Sequence, residues 1–425
     1  MSNKVKCSFC GASGENVNIF RSNENSEIYI CADCVKQTYA ALRDYEEELE
    51  QEKVFNNPDV VTPTDIKDFL NDYVIGQDRA KAILSVAVYN HMKLLEHWDN
   101  LQDGDVEIEK SNILMVGPTG SGKTHLIKNL ARLFQVPYVI ADATTLTESG
   151  YVGSDVETVL QKLINAADGD IKLAERGIVF IDEIDKKANK GGINNSITRD
   201  VSGEGVQQAL LKLIEGNKVD VQLEGQRKHP YSDTVEIDTS KILFIVGGAF
   251  PGIEEIIKKR LKYKAVSTVG INLDDDQENK LSENVPINDI IDKVTHDDFR
   301  NYGLIPEFLG RLPIICPLKE LTEEELCRIL TEPKNALVKQ YKAMLKYDNV
   351  DLTFDDDALK AIANKAITTK TGARGLRSIM ESLLLDPMFS LPKRMQESKG
   401  RHGSLVITKD CIENNTKPEL TIKAA

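Results

Sequence analysis

Long apolar runs are missing from this chain: nowhere in its 425 residues does an uninterrupted one approach the ~20 needed to cross a bilayer. The opening residues, Met-Ser-Asn-Lys-Val-Lys-Cys, lack the apolar core of a secretory signal. An intracellular, cytoplasmic protein with no membrane partner is therefore expected. A basic excess is missing too, since 53 Lys and Arg stand against 67 Asp and Glu, a formal net charge of -14. Proteins that grip phosphate backbones usually carry a basic face, so the acidic balance argues against nucleic acid as the main partner. Only seven cysteines occur, and four of them cluster in two pairs near the N-terminus. That is not the even, chain-wide spread of a disulfide scaffold. No internal repeat or low-complexity tract is present.

What is present is ample apolar material, 41% of residues, for a sizeable core. At ~100–200 residues per domain, two or three folded units are expected. Residues 1–50 begin with the paired cysteines and end in a charged, helix-prone run. Residues 51–65, with breaks at Asn56-Asn57-Pro58 and Pro63, read as a linker. Residues 66–316 alternate strand-like segments (112–116, 137–141, 177–181, 241–246) with helical ones (123–133, 155–167, 204–215). That alternation predicts an α/β large domain, a mostly parallel sheet covered on both faces. An acidic stretch around Asp274-Asp275-Asp276 makes 262–285 an expected mobile loop. Residues 317–425 read as a smaller, helix-rich α+β domain, with helices over 323–345 (kinked or divided at Pro333), 356–366 and 375–388, and a strand at 404–408.

Within the large domain, Gly117-Pro118-Thr119-Gly120-Ser121-Gly122-Lys123-Thr124 matches GxxxxGK[ST], with a strand feeding it and a helix leaving it. The glycines let the backbone curl until several N–H groups face the phosphates, and the helix N-terminus adds its positive end. Lys123 is expected to reach the β- and γ-phosphates of ATP, and the Thr124 hydroxyl to ligate Mg²⁺. Further on, Ile178-Val179-Phe180-Ile181-Asp182-Glu183 is an apolar strand ending in two carboxylates at the sheet's carboxyl edge. By itself that could be a solvated strand tip. Paired with the phosphate loop, it puts Asp182 on Mg²⁺ and makes Glu183 the group that activates the attacking water. The chain is read as an NTPase.

Cys7-Ser8-Phe9-Cys10 and Cys31-Ala32-Asp33-Cys34 give two C-x₂-C turns. Together they can offer four thiolates to one tetrahedral Zn²⁺, in a segment too small to fold on its own core. A redox pair or a disulfide pair fits poorly with two such turns in one short intracellular module. Cys316, Cys327 and Cys411 read as core or incidental cysteines.

Several further segments resemble the ClpX family of AAA+ protein unfoldases, in the family's order and over most of the chain. Tyr73-Val74-Ile75-Gly76-Gln77 resembles its adenine-side segment, which implies nucleotide contacts for Val74 and Ile75. Gly150-Tyr151-Val152-Gly153 resembles the first pore loop, Lys190–Gly203 the second, and Arg227-Lys228-His229 the basic loop at the pore entrance. The stretches 304–313, Leu-Ile-Pro-Glu-Phe-Leu-Gly-Arg-Leu-Pro, and 371–378, Thr-Gly-Ala-Arg-Gly-Leu-Arg-Ser, are the most distinctive.

The resemblance implies a homo-hexameric ATPase that threads client proteins through a central pore, with Tyr151 and Val152 gripping and Arg227, Lys228 and His229 attracting acidic tags. It also implies that Arg311 acts as a finger on the neighbouring subunit's nucleotide, and that Arg374 approaches its own. For the zinc module it implies dimerisation and adaptor binding. Read locally, Gly150–Gly153 could equally be a turn with a packed tyrosine, and 227–229 plain solvated surface. Arg311 could be a helix-end cation in a local ion pair, and Arg377 suits a surface role better than Arg374 does.

At two places the resemblance fails. Members that couple to a ClpP-type peptidase carry an Ile-Gly-Phe-type docking loop, but this chain reads Ala265-Val266-Ser267-Thr268-Val269-Gly270-Ile271 there and has no such tripeptide. The strand 242–246 also runs into Gly247-Gly248, with no polar residue to sense the γ-phosphate. A remodelling chaperone or adaptor working without a peptidase is the alternative, and a nucleic-acid remodeller a third, disfavoured by charge.

Overall fold

The computed structural model describes residues 6–10, 12–13, 19–21, 29–36, 38, 61–99, 106, 108–147, 154–188, 203–222, 234–269, 287–397, 402–414 and 416–422. They fall into two compact units, Met1–Val61 and Thr62–Ala425. The first unit contains an antiparallel pair, β1 (Ile19–Arg21) and β2 (Tyr29–Cys31), with Ile19 opposite Cys31.

The second unit opens with helix α1 (Pro63–Tyr73). Pro63 does not break the chain here. It occupies the first turn, where its missing N–H costs nothing and its fixed φ suits a helix. The Thr62 side chain accepts from the Asp65 N–H, and the Asp65 carboxylate accepts from the Thr62 N–H at 2.8 Å, closing a capping box. Helix α2 (Asp78–Asp99) follows. The central elements are β3 (Ile113–Val116), α3 (Lys123–Phe134), β4 (Tyr138–Asp142), α4 (Thr158–Ala166), β5 (Ile178–Asp182), α5 (Glu204–Ile214), β6 (Leu243–Gly248), α6 (Ile253–Val269), α7 (Pro306–Gly310) and β7 (Ile314–Pro317). The five strands form one sheet in the order β7-β3-β6-β5-β4, every pair parallel. β3 and β6 are buried on both faces, which is why they read as unbroken apolar runs rather than alternating ones.

The expected loop at 262–285 is corrected in its first part, because α6 continues to Val269. Arg260 anchors that helix with bonds of 2.8 and 2.9 Å to the fully buried carboxylate of Asp298 and one of 2.6 Å to the Lys293 carbonyl. That partner lies 38 residues away in the chain, so local composition did not show it.

A second hydrophobic core gathers α8 (Glu323–Thr331), α9 (Leu337–Lys346), β8 (Val350–Phe354), α10 (Asp356–Thr368), α11 (Ala373–Glu397), β9 (Gly403–Ile407) and β10 (Glu419–Ile422). Pro333 divides the first two helices. β8 pairs parallel with β9, and β9 antiparallel with β10. Helix α11 runs well past its expected end at Met388, through Pro387 and Pro392. Its stripe Leu376, Met380, Leu384, Leu391 and Met395 is buried. At roughly 1.5–3 kcal/mol for each such side chain, that burial outweighs the ~3 kcal/mol cost of each interior proline. Cys316 and Cys411 are buried and Cys327 is half-buried. Among the described residues no helix is long and apolar enough to cross a membrane.

Candidate functional site

β3 delivers the loop 117–122 to the start of α3 at the carboxyl edge of the sheet. Gly120 and Gly122 take φ values of +81° and +100°, which only glycine adopts freely, and these turns point the loop's backbone inward. Gly117 packs so tightly that a Cβ would lie 2.7 Å from the Leu318 Cβ. The Lys123 ammonium bonds the loop carbonyls of Gly117 (2.6 Å) and Pro118 (3.1 Å). Burial pulls its pKa down, while Asp182 first and then Asp185 hold it up. A buried cation inside a ring of backbone dipoles is poised for an anionic ligand.

β5 runs beside β4, with Asp182 in register with Asp142, and ends next to α3. The Thr124 Oγ1 donates to Asp182 Oδ2 at 3.3 Å, so the hydroxyl and the carboxylate expected on Mg²⁺ already face each other. This pair fits a hard cation that prefers oxygen ligands. The other Asp182 oxygen accepts from the Glu183 N–H at 2.9 Å. Glu183 is exposed and left-handed, with φ 60° and ψ 30°. For a residue with a Cβ this costs about 1–3 kcal/mol, and such residues concentrate at active sites.

The small core reaches the same loop. The Ala373 N–H donates to the Gly120 carbonyl at 3.3 Å, and a Cβ on Gly120 would sit 2.6 Å from the Thr371 carbonyl oxygen. Arg374, at the second position of α11, is exposed, and its charge reaches Lys123 and lowers that lysine's pKa. Val74 and Ile75 are buried and precede a left-handed pair, Gly76 (φ 66°) and Gln77 (φ 58°).

The sequence reading gave Gln77 no role of its own. Its amide nitrogen donates to the carbonyls of Ser121 (3.3 Å) and Lys319 (2.8 Å), and its oxygen accepts from the Lys319 N–H (2.9 Å). One side chain thus ties the phosphate loop to the connection between the two cores. Gln77→Ala strands these backbone groups, so denaturant titration should show a loss of about 1–3 kcal/mol. Steady-state ATPase assays should show KM for ATP rising by more than kcat falls.

Arg311 follows α7, half-exposed, with its guanidinium 3.3 Å from Glu215 at the end of α5. The local ion pair allowed by the sequence is therefore formed in the folded chain. An exposed pair of this kind is worth ~0–1 kcal/mol, little enough for a phosphate to replace Glu215. Gln207, fully buried on α5, was also missed. Its Nε2 donates to the Lys187 carbonyl at 2.8 Å and its Oε1 accepts from the Ile305 N–H at 2.9 Å, joining the turn after Glu183 to the start of the Arg311 helix. The only signal available in sequence was a polar residue inside the apolar pattern of α5.

In the N-terminal unit the four sulfurs of Cys7, Cys10, Cys31 and Cys34 all lie within 4.8 Å of one another, and Cys10 and Cys31 approach to 3.6 Å. Four ligands about 2.3 Å from one zinc ion require sulfurs ~3.8 Å apart, so the cluster fits. The Cys31 N–H points at Cys7 Sγ (3.3 Å) and the Cys34 N–H at Cys31 Sγ (3.4 Å), which orients the ligands. Backbone bonds, that from Cys10 foremost, bring the Cys7 thiol down to about 6. Hydrogen bonding with Cys10 and then Cys31 pushes the Cys34 thiol up to about 12.

Tyr151, Val152, Arg227, Lys228 and His229 lie outside the described residues, as do 190–202 and 270–271 of the stretches discussed above. A phosphate loop on the parallel sheet β7-β3-β6-β5-β4, an Asp-Glu strand end beside it, and a second helical core on the loop define an AAA+ ATPase, which uses ATP and Mg²⁺.

Residues 108–315 match the AAA domain (Cdc48 subfamily), residues 321–402 the C-terminal, D2-small domain of ClpB protein, and residues 5–44 the ClpX C4-type zinc finger. The chain is 50% identical over 423 residues to the ATP-dependent Clp protease ATP-binding subunit ClpX of Treponema denticola, covering 99% of this chain and 97% of that one. It is 48% identical over 418 residues to the protein of the same name in Borrelia duttonii, covering 97% and 92%. The chain belongs to the ClpX family.

Proposed function

We propose that this protein is an ATP-driven unfoldase and translocase that works as a homo-hexameric ring and draws client polypeptides through a central pore. The observation that carries the ATPase half is the juxtaposition at the end of β5. Asp182 sits 3.3 Å from the Thr124 hydroxyl, and Glu183 is held left-handed beside it. Lys123 and the loop N–H groups cradle the phosphates, Thr124 and Asp182 hold the metal, and Glu183 orients the attacking water. When bound, Mg²⁺ neutralises charge on the phosphate oxygens. Val74 and Ile75 flank the base, Arg374 senses the nucleotide from the small core, and Arg311 leaves Glu215 to reach the neighbouring subunit's γ-phosphate. Tyr151 and Val152 grip the client, and Arg227, Lys228 and His229 gather it at the pore mouth.

Full-length similarity to proteins named as Clp protease ATP-binding subunits supports a ClpP-type peptidase as partner. The missing Ile-Gly-Phe tripeptide implies that other residues make that contact. The zinc module is the site for adaptors.

The test uses full-length protein, ATP and a tagged fluorescent globular substrate, with and without a ClpP-type peptidase. Loss of native fluorescence that needs ATP, cut ~10-fold or more in Tyr151→Ala while ATP turnover persists, is the expected result, because an aromatic tip supplies most of the contact area. Vigorous ATPase activity with every tagged client left folded would defeat the proposal. Peptide release in the mixture supports the peptidase partnership, whereas unfolding without peptides identifies a remodeller working alone.

A further inference from the structure

β6 ends in Gly247-Gly248, so no side chain of that strand meets the nucleotide end of the sheet. A different residue connects β6 to the site. Immediately after Glu183 the chain makes a single 3₁₀ turn, Ile184–Lys187, and the Asp185 side chain on that turn is 1% exposed. Its Oδ1 accepts the Ala249 N–H, the first beyond β6, at 3.0 Å. Its Oδ2 is buried without a hydrogen bond and lies 3.6 Å from the Lys186 ammonium. At Gly248 a Cβ would sit 2.6 Å from the Phe250 ring and 2.8 Å from that same Oδ1, so the glycine there makes room for both the ring and the carboxylate.

The turn is pinned at both ends. Ala249 holds Asp185 on one side, and the Gln207 amide holds the Lys187 carbonyl at 2.8 Å on the other. Glu183 itself is exposed, has no side-chain cap bond, and occupies a backbone conformation unfavourable for a residue with a Cβ. Such a conformation persists only where the neighbouring structure over-determines it. The Asp185–Ala249 bond ties the turn that follows Glu183 to the residue just beyond β6.

We propose that Asp185 is a positioning residue for ATP hydrolysis. By locking the 3₁₀ turn to the end of β6, it keeps Glu183 left-handed and its carboxylate in place, and it lets a movement of β6 reach Glu183 without any polar side chain on β6 itself. This rests on the reading of Glu183 as the water-activating residue, and it adds a group that touches neither nucleotide nor metal.

Asp185 also helps hold the Lys123 ammonium charged, so turnover and binding are read separately. In Asp185→Ala, kcat should fall ~10–100-fold, the range a displacement of about 1 Å produces, while KM for ATP and the affinity for a non-hydrolysable ATP analogue stay within about threefold. Asp185→Asn keeps a carbonyl oxygen for the Ala249 N–H and should recover kcat to within about threefold of the parent. Gly248→Ala presses a methyl onto the same oxygen and onto the Phe250 ring, and, with its fold checked by denaturant titration, it should lower kcat in the same selective way even if Asp185→Ala does not fold.

The proposal fails if Asp185→Ala turns over normally, if it loses analogue binding in step with turnover, or if the asparagine variant is as impaired as the alanine one. Where Asp185→Ala does not fold, an unimpaired Gly248→Ala overturns it. Glu183→Gln, run alongside, separates the two readings. If that variant still hydrolyses ATP, the assignment of Glu183 fails. If it is inactive while Asp185→Ala is normal, only the role of Asp185 fails.

Discussion

Glu183→Gln is expected to cut ATP turnover by ~10²–10⁴-fold, the usual contribution of a positioned general base, while leaving ATP bound. Glutamine matches glutamate in shape, and the left-handed backbone is imposed by the strand end and the 3₁₀ turn rather than by the carboxylate. What disappears is the negative charge that polarises water. The groups proposed to hold ground-state ATP are elsewhere: Lys123, bonded to the loop carbonyls, and Thr124, facing Asp182. Phosphate release under multiple turnover should therefore collapse while the dissociation constant for ATP moves little. A client captured by this variant should remain held rather than released unfolded. Turnover within about twofold of the parent, measured with the same preparation, would place the catalytic base on another residue.

Zinc removal has the second large effect. Among the described residues of the first unit, the buried apolar side chains are Cys7, Cys31 and Val61, while Phe9, Phe20 and Val35 are exposed. Little core remains to hold the unit together without a metal. Structural zinc sites supply an apparent ~10–16 kcal/mol at neutral pH, more than a module of this size gains from packing. A chelator, or Cys10→Ser, applied to the full chain should release about one zinc per chain and unfold the module. The readouts are released metal and loss of backbone amide dispersion for residues of the first unit. ATP hydrolysis by the second unit should continue.

Zinc affinity should also fall on acidification. Metal binding must displace the thiol protons, and the Cys34 thiol, pushed up to about 12, holds its proton throughout the neutral range when no cation is bound. Lower pH returns protons to the remaining thiols and favours release. A module that stays folded after chelation would exclude the metal as its source of stability.

The elements that could be read from sequence share a physical property: their meaning lies within a few consecutive residues. The phosphate loop must follow a strand and precede a helix, whatever the rest of the chain does. The carboxylates of Asp182 and Glu183 must emerge at the end of an apolar strand, and two C-x₂-C turns need only be brought together once. Pro333 dividing two helices is equally local, because a missing N–H is a property of the residue itself. Pro63 was read as a break although Thr62, Pro63 and Asp65 lie within four residues; the capping box there, two side chains on two backbone N–H groups, is a local helix-start signal that reading overlooked.

The other misread and missed features depend on partners far away in the chain. Helix α6 is held by Arg260 on Asp298, 38 residues away, and α11 runs through two prolines because its stripe meets the second core. The sequence by itself determined the candidate chemistry: a phosphate loop, two carboxylates at a strand end and four cysteines in two C-x₂-C turns. The tertiary structure alone decided how those atoms are held and linked, through Gln77 between the loop and Lys319, Gln207 between Lys187 and Ile305, and Asp185 under Ala249. Each of those links joins a side chain to a backbone group of another element. Backbone N–H and C=O groups are the same at every position, so no residue type announces in advance which of them it will meet.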